Sequence, residues 1–432
     1  MTGDHGGRVV VFRDGALLPS SSDSSLEDSF EMAGGKAIQA DRNWVPFFQF
    51  QSHESVFDYL RSKEVSCKVN HLKAIPASPG KLSLLSCNEK TIKAWKVGGR
   101  KRYSRSAVTL YRKGQGINLR KMTDDIDTSV HDSKSAFANL KQSYVSVHQY
   151  NIHSIDYPDY EDIFLSADDL RVNLWNIERC DASFNVVDIK PENMDNLSEV
   201  ITCAKFKKQD SGTILFATSK GITRQCDLRE AAFTSTFSKT YRDRSSNGDD
   251  DAYHEITQSV SDFDISKDGR YVLTRDYFSV RLWDSHMERE PVKVFDIQNY
   301  LKPIVNDLYE SESLFDKFHV SFCPDDSAFT TGSYGGKFYM FDTHSEDMKM
   351  TEKTIPTTEE GNDHDSLSSD LEHSFSNMGN NASRTQSRLF RNLIDHRVLN
   401  HCFHPIHKTL VVTGMAGIYL YDWNREMTKK QI

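Results

Sequence analysis

The chain has 432 residues, 38% of them hydrophobic, and its 53 lysines and arginines against 62 aspartates and glutamates leave a net charge of −9. That acidity argues against binding to nucleic acid or an anionic membrane, which carry the same sign, and suits partners with basic patches. No stretch of ~18 uninterrupted apolar residues is available to span a membrane, and the glycine-rich start from Met1 to Arg8 does not read as a signal peptide. Cysteines at 67, 87, 180, 203, 226, 323 and 402 are dispersed without a CxxC spacing. That predicts reduced thiols in the cytoplasm or nucleus, and sequons at Asn196 and Asn381 that stay unglycosylated.

In chain order one unit recurs. An apolar triplet ending in Ser or Thr, or in Thr-Gly, is followed by a polar turn and an alternating strand closed, in most copies, by an aromatic residue. Leu84-Leu85-Ser86 leads to Trp95, Phe164-Leu165-Ser166 to Trp175, and Val272-Leu273-Thr274 to Trp283. Phe216-Ala217-Thr218 leads to Cys226, Thr330-Thr331-Gly332 to Phe341, and Val412-Thr413-Gly414 to Tyr421, while Val9-Val10-Val11-Phe12 supplies a seventh anchor. An earlier strand and a Pro/Asp/Gly turn precede the triplet, as in Val260 to Ile265 before Ser266-Lys267-Asp268-Gly269. Period-2 alternation marks the strands, and repetition of such a unit marks an all-β, seven-bladed propeller. The anchors lie 51 to 83 residues apart, beyond the ~40–45 of a compact WD repeat, so the excess belongs in loops. The whole chain, 1–432, reads as one propeller.

Met1 to Gly7 reads as the turn before the third strand of the first unit. Two strands of that blade, and any strand closing the ring beside the last blade, are therefore expected to be absent, leaving an open edge. Three segments fall outside the repeat. Residues 15–41 read as a loop, 96–144 as a projecting hairpin and loop, and 344–387 as a disordered acidic loop.

No catalytic constellation stands out: GxSxG, P-loop and HExxH patterns are absent, and so is GxGxxG after a strand. Gly332-Ser333-Tyr334-Gly335-Gly336 lies between two strands and reads as a turn. His401-Cys402-Phe403-His404 alternates along a strand, so its donors diverge rather than converge on zinc. No motif calls for a cofactor or metal, and the chain is expected not to be an enzyme. Asp168-Asp169 serves either as turn chemistry or as an acidic spot for a basic peptide.

Several long, non-repetitive blocks carry a family resemblance. Phe50-Gln51-Ser52-His53-Glu54 running into Phe57-Asp58-Tyr59-Leu60-Arg61-Ser62, Ser166-Ala167-Asp168-Asp169-Leu170-Arg171, Thr274-Arg275-Asp276-Tyr277 and Leu314-Phe315-Asp316-Lys317-Phe318 are among them. They are similar to the B-type (WD-repeat, 55 kDa class) regulatory subunit of protein phosphatase 2A. The resemblance implies a non-catalytic subunit that joins the helical-repeat scaffold and the catalytic subunit of that phosphatase, and recruits phosphoprotein substrates with basic flanks. It implies scaffold contacts at Phe57, Asp58, Tyr59, Leu60 and Arg61 and through the 96–144 insertion. On the opposite face it implies substrate contacts at Tyr150, Asp169, Met194, Leu197, Glu312 and Phe315. Shared repeats alone would also allow an adaptor of another machine, such as a ubiquitin-ligase substrate receptor. The sequence departs from the family at Ser66 and Cys67, where the family has glutamates, and at Asn151 and His153, which exchange the family's His and Asn. His5 stands where a Lys is usual.

Overall fold

The computed structural model describes residues 1–14, 44–59, 62–75, 81–99, 117–118, 136–145, 147–158, 162–229, 237–243, 253–343, 348, 350–355, 384–405, 409–414 and 417–422. Seven antiparallel sheets follow one another around a ring. In five of them four strands run from the innermost to the outermost in sequence order. Blade 3 is Ser154–Asp156, Ile163–Ala167, Arg171–Asn176 and Ser183–Asp188. Blade 4 is Ile201–Lys207, Asp210–Thr218, Ile222–Asp227 and Lys239–Arg242. Blade 5 is Asp262–Ile265, Tyr271–Arg275, Ser279–Asp284 and Lys293–Asp296. Blade 2 begins at His71–Ile75 and ends at Ala136–Tyr144; blade 6 begins at Val320–Phe322 and ends at Met350–Thr354. Blade 7 is Asn400–Phe403, Thr409–Thr413 and Gly417–Asp422, with Ile117–Asn118 on its outer edge.

Six of the seven anchors read from the sequence fall on third strands, and Phe12 falls on the middle one of the three described strands of blade 1. The Ser/Thr that ends the second strand has a physical reason. Indole Nε1 of Trp95 donates to Ser86 Oγ at 3.1 Å, of Trp175 to Ser166 Oγ at 2.8 Å, and of Trp283 to Thr274 Oγ1 at 2.9 Å. The bonds satisfy the buried N–H of Trp175 and Trp283, and the half-buried one of Trp95, which would otherwise be costly to remove from water. In blade 3 the chain of bonds continues. His148 Nε2 lies 2.6 Å from Ser166 Oγ, and its Nδ1 lies 2.9 Å from Asp168 Oδ2.

Apolar cores fill the wedges between successive blades. Leu85, Ile92 and Tyr144 of blade 2 meet Phe164 and Trp175 of blade 3, and Leu273 and Leu282 of blade 5 meet Phe322, Phe329 and Phe341 of blade 6. Inner strands lack a neighbour on the channel side, so acidic side chains satisfy their backbone. Asp156 accepts from the Phe206 N–H at 2.9 Å, and Asp264 from the Phe322 N–H at 2.8 Å. Ion pairs link the same strands: Lys73 to Asp156 at 2.6 Å and Lys205 to Asp262 at 2.7 Å, with His319 Nδ1 3.0 Å from Asp262.

The first blade differs from the expectation of two absent strands. Thr2–Gly3 pairs with Val9 and Val10, giving three described strands with Arg8–Asp14 and Trp44–Gln51. The expected acidic loop 344–387 also needs correction in part. Met350–Thr354 is the outer strand of blade 6, and a helix begins at Arg384. An outermost strand needs little apolar character, which is why this polar segment gave no strand signal. Loop 15–41 lies outside the described residues, as do 100–116 and 119–135 of the insertion. The described ends of the insertion, Ile92–Gly99 and Ala136–Tyr144, pair as the third and fourth strands of blade 2.

Candidate functional site

With inner strands first and every blade antiparallel, the turn between second and third strands leaves the ring at the same face as the link to the next blade. Asp169 lies in such a turn, Tyr150 in the link between blades 2 and 3, Met194 and Leu197 in the link between blades 3 and 4, and Glu312 and Phe315 in that between blades 5 and 6. All six residues expected at the substrate site therefore share one face.

Phe57, Asp58 and Tyr59 lie in the link between blades 1 and 2, on the small hairpin Val56–Asp58 and Lys63–Val65. This places them on the same face and corrects the expectation that they lie opposite. Sequence blocks carry no sign for which end of the ring they occupy; the strand order supplies it. Leu60 and Arg61 lie outside the described residues.

The blade 5–6 link is held rigid from below. Leu301, Ile304, Leu308, Leu314 and Phe318 pack in a local core with Tyr277, Tyr334 and Leu393. The Tyr334 hydroxyl lies 2.7 Å from the Ser313 carbonyl and accepts from the Tyr277 hydroxyl at 3.1 Å. Arg397 Nη1 donates to both oxygens of Asp316 at 2.9 and 2.7 Å. Tyr334 belongs to the glycine-rich turn read from the sequence, so that turn anchors the link. Gly332 admits no side chain, because a Cβ there would meet the Val398 carbonyl oxygen at 2.0 Å.

On this support sit exposed apolar groups. Phe315 is 57% exposed, Met194 40% and Leu197 37%. Phe315 packs against Tyr309 with tilted rings, centres 5.9 Å apart, and Tyr309 against Tyr253 at 5.1 Å. Beside Phe315 opens a cavity of about 420 Å³ lined by Val200, Ile256, Val260, Tyr277 and Leu314, with Lys220, Glu255 and Lys317 at its polar edge. Tyr59, 85% exposed, meets Phe57 with ring centres at 5.1 Å. Exposed aromatic and aliphatic groups gathered on one face mark a surface for a partner.

The acidic residues divide. Asp168 is fully buried and accepts from the backbone N–H of Leu170 at 2.9 Å and Arg171 at 2.7 Å as well as meeting His148. Burial alone would raise its carboxyl, but the His148 and backbone bonds hold it below the ordinary range. Asp169 faces outward with Oδ1 2.6 Å from His153 Nε2, and Glu312 is exposed. The sequence reading passed over His148, Tyr253, Tyr309 and Lys317 as site or support residues. Lys317 stood within a quoted block, whereas Tyr253 and Tyr309 lie in links without periodicity. Among the described residues no group of three or more His, Cys, Asp or Glu side chains could hold a metal ion.

No protein-family model matches the chain. A regulatory subunit of serine/threonine-protein phosphatase 2A from Caenorhabditis elegans is 33% identical over 432 residues, covering 98% of this chain and 83% of that protein. The chain belongs to the B-type regulatory-subunit family of protein phosphatase 2A. The B gamma isoform of the 55 kDa regulatory subunit from Mus musculus is 36% identical over 346 residues, covering 80% of this chain and 74% of that protein. The B alpha isoform from Oryza sativa subsp. japonica is 36% identical over 375 residues; the match spans 79% of this chain and 64% of that relative's length. The role of this protein is therefore regulatory and not catalytic. The face just described is where a propeller with no reaction centre of its own can act, by binding.

Proposed function

We propose that this protein joins the helical-repeat scaffold and the catalytic subunit of the phosphatase, and recruits phosphoproteins with basic flanks through the face that carries Asp169, Glu312 and Phe315. The observation that carries the reading is the pairing of outward carboxylates with an apolar cavity of about 420 Å³ on one rigid face. A substrate segment with alternating cationic and apolar side chains fits it. Each exposed ion pair contributes only ~0–1 kcal/mol, so selection needs several together with the apolar contacts. Complementary charge also speeds encounter. The catalytic gain is effective concentration, because a substrate held close to the phosphatase reaction centre reacts quasi-intramolecularly.

The scaffold grip falls to the opposite end of the ring. The insertion between the third and fourth strands of blade 2 leaves from that end, since turns between third and fourth strands lie opposite the substrate face. The resemblance gave the scaffold role also to Phe57, Asp58, Tyr59, Leu60 and Arg61; the exposed Phe57–Tyr59 pair fits better as a rim of the substrate face. In this reading the protein works in the cytoplasm, with the nucleus as a second location, and its seven free thiols fit a reducing compartment.

The reading is tested by steady-state dephosphorylation in the reconstituted heterotrimer, using a phosphopeptide with basic flanks. Asp169→Ala and Phe315→Ala should each raise KM and leave kcat unchanged, since both act on capture and neither on chemistry. Unchanged KM in both variants would refute the assignment of this face.

A further inference from the structure

The face that Asp169 and Glu312 make acidic carries, at its centre, two ammonium groups that form no ion pair among the described residues. Every inner strand is entered from this face, so the residues just before the inner strands form the rim of the central channel. Lys68 stands shortly before His71–Ile75, and Lys317 shortly before Val320–Phe322. The backbone around Lys68 is pinned. Val69 N–H donates to the Asp4 carbonyl at 3.1 Å, and Asn88 Nδ2 to the Ser66 carbonyl at 3.1 Å. Lys317 reaches across the mouth, its Nζ 3.4 Å from Nδ1 of His153 at the entrance to blade 3.

The carboxylates nearby are already engaged. His153 meets Asp169 at 2.6 Å, Arg397 holds Asp316, and Arg8 bonds Asp4 at 2.8 Å. Among the described residues Lys68 and Lys317 form no ion pair. The two lysines also feel one another. Lys317 is exposed, yet the protein packed around it lowers its ammonium; Cys203 and Asp169 oppose that shift, and Lys68 adds to it. Ser66 and Cys67, the residues just before Lys68, bring no carboxylate to offset it.

We propose that Lys68 and Lys317 form an anion subsite that takes the phosphoryl group of a phosphorylated side chain on a segment lying across this face. The inference rests on the reading that this face receives substrates. Two exposed cations at the channel rim, neither held in an ion pair among the described residues, suit a group carrying close to two negative charges and three acceptor oxygens. The face then selects a dipolar segment: a cationic residue toward Asp169 or Glu312, and a phosphorylated residue at the channel mouth. An unphosphorylated, purely basic segment meets repulsion there.

The full-length chain, with no other protein present, is treated with a limiting amine-acetylating reagent and read lysine by lysine by mass spectrometry. Inorganic phosphate and N-acetyl-phosphoserine amide are compared with sodium chloride at equal ionic strength. Acetylation of Lys68 and Lys317 should fall about threefold or more with both phosphoryl probes, while exposed Lys190 and Lys302 stay unchanged. Lys68→Gln should abolish the protection at Lys317, and Lys317→Arg should retain it at Lys68. Equal rates in phosphate and chloride, or protection by free phosphate without protection by the phosphoserine amide, would overturn the proposal. Failure of the phosphatase assembly would appear in a co-elution experiment and leave this readout untouched.

Discussion

Asp168 and Asp169 are neighbours in sequence with opposite fates: Asp168 Oδ2 lies 2.9 Å from the buried His148, whereas Asp169 reaches the rim and meets His153 at 2.6 Å. Asp168 takes the turn chemistry that the sequence left open, and Asp169 stands at the rim, where the proposed acidic spot needs it. Asp168→Ala should destabilise the fold by about 3 kcal/mol, because it strands His148 and two backbone donors in the interior. Asp169→Ala should cost less than about 1 kcal/mol in stability. Urea unfolding of the two variants checks this, and equal losses would contradict the division of roles.

The Lys205–Asp262 pair joins the inner strands of blades 4 and 5 at 2.7 Å. Burial alone would raise the Asp262 carboxyl, but Lys205 and His319 beside it hold it well below the ordinary carboxylate range. Lys205→Met should cost about 3–5 kcal/mol, since it removes the lysine that offsets the buried Asp262 charge and leaves His319 as the remaining cationic neighbour. The double variant Lys205→Met with Asp262→Leu should recover part of that loss. Denaturant midpoints of the single and double variants measure it.

Acid should weaken the ring before it reaches the carboxylates. Burial lowers His71 and His401 to about 3 and His53 to about 4, from the usual 6.5. Between 6.5 and those values the unfolded chain binds protons that the folded chain refuses. This contribution to stability is therefore complete above 6.5 and is lost as pH falls through the window. The urea midpoint should fall steadily from about pH 7 to about pH 5, where carboxylates remain ionised. His71→Gln combined with His401→Gln should flatten that slope. A midpoint constant over this range in the parent chain would contradict the assignment.

Glu312 carries its carboxylate on a left-handed backbone, with φ of 59°. Glu312→Gly should leave stability unchanged or raise it by about 1 kcal/mol, because glycine adopts this conformation freely. The same change should weaken capture of a basic-flanked phosphopeptide. Glu312→Ala should weaken capture equally without the gain in stability. Thermal unfolding read beside peptide anisotropy separates backbone strain from charge.

Much of the fold was legible because its determinants are local. Trp175 and Ser166 lie a fixed step apart on paired strands, and the same step recurs at Trp95 with Ser86 and Trp283 with Thr274. Cys226 could be placed as an anchor without an aromatic ring because the rest of its unit was intact. His148 escaped notice because its partners, Ser166 on the second strand of blade 3 and Asp168 in the turn after it, lie far along the chain and no short motif links them. Met350–Thr354 is polar on an outer edge, so it resembled the acidic loop around it. The face occupied by Phe57 and Tyr59 follows from strand order, which no single block encodes. The substrate residues came from the resemblance, while Lys68, His153 and Lys317 became a group only when the links between blades were brought to one channel mouth.

The most direct measurement is size-exclusion co-elution of the full chain with the purified scaffold and catalytic proteins of the phosphatase, beside a variant lacking residues 100–135. The account predicts that the full chain elutes with both as a heterotrimer, and that the variant stays folded but elutes alone. A folded full-length chain that elutes apart from the scaffold would contradict it.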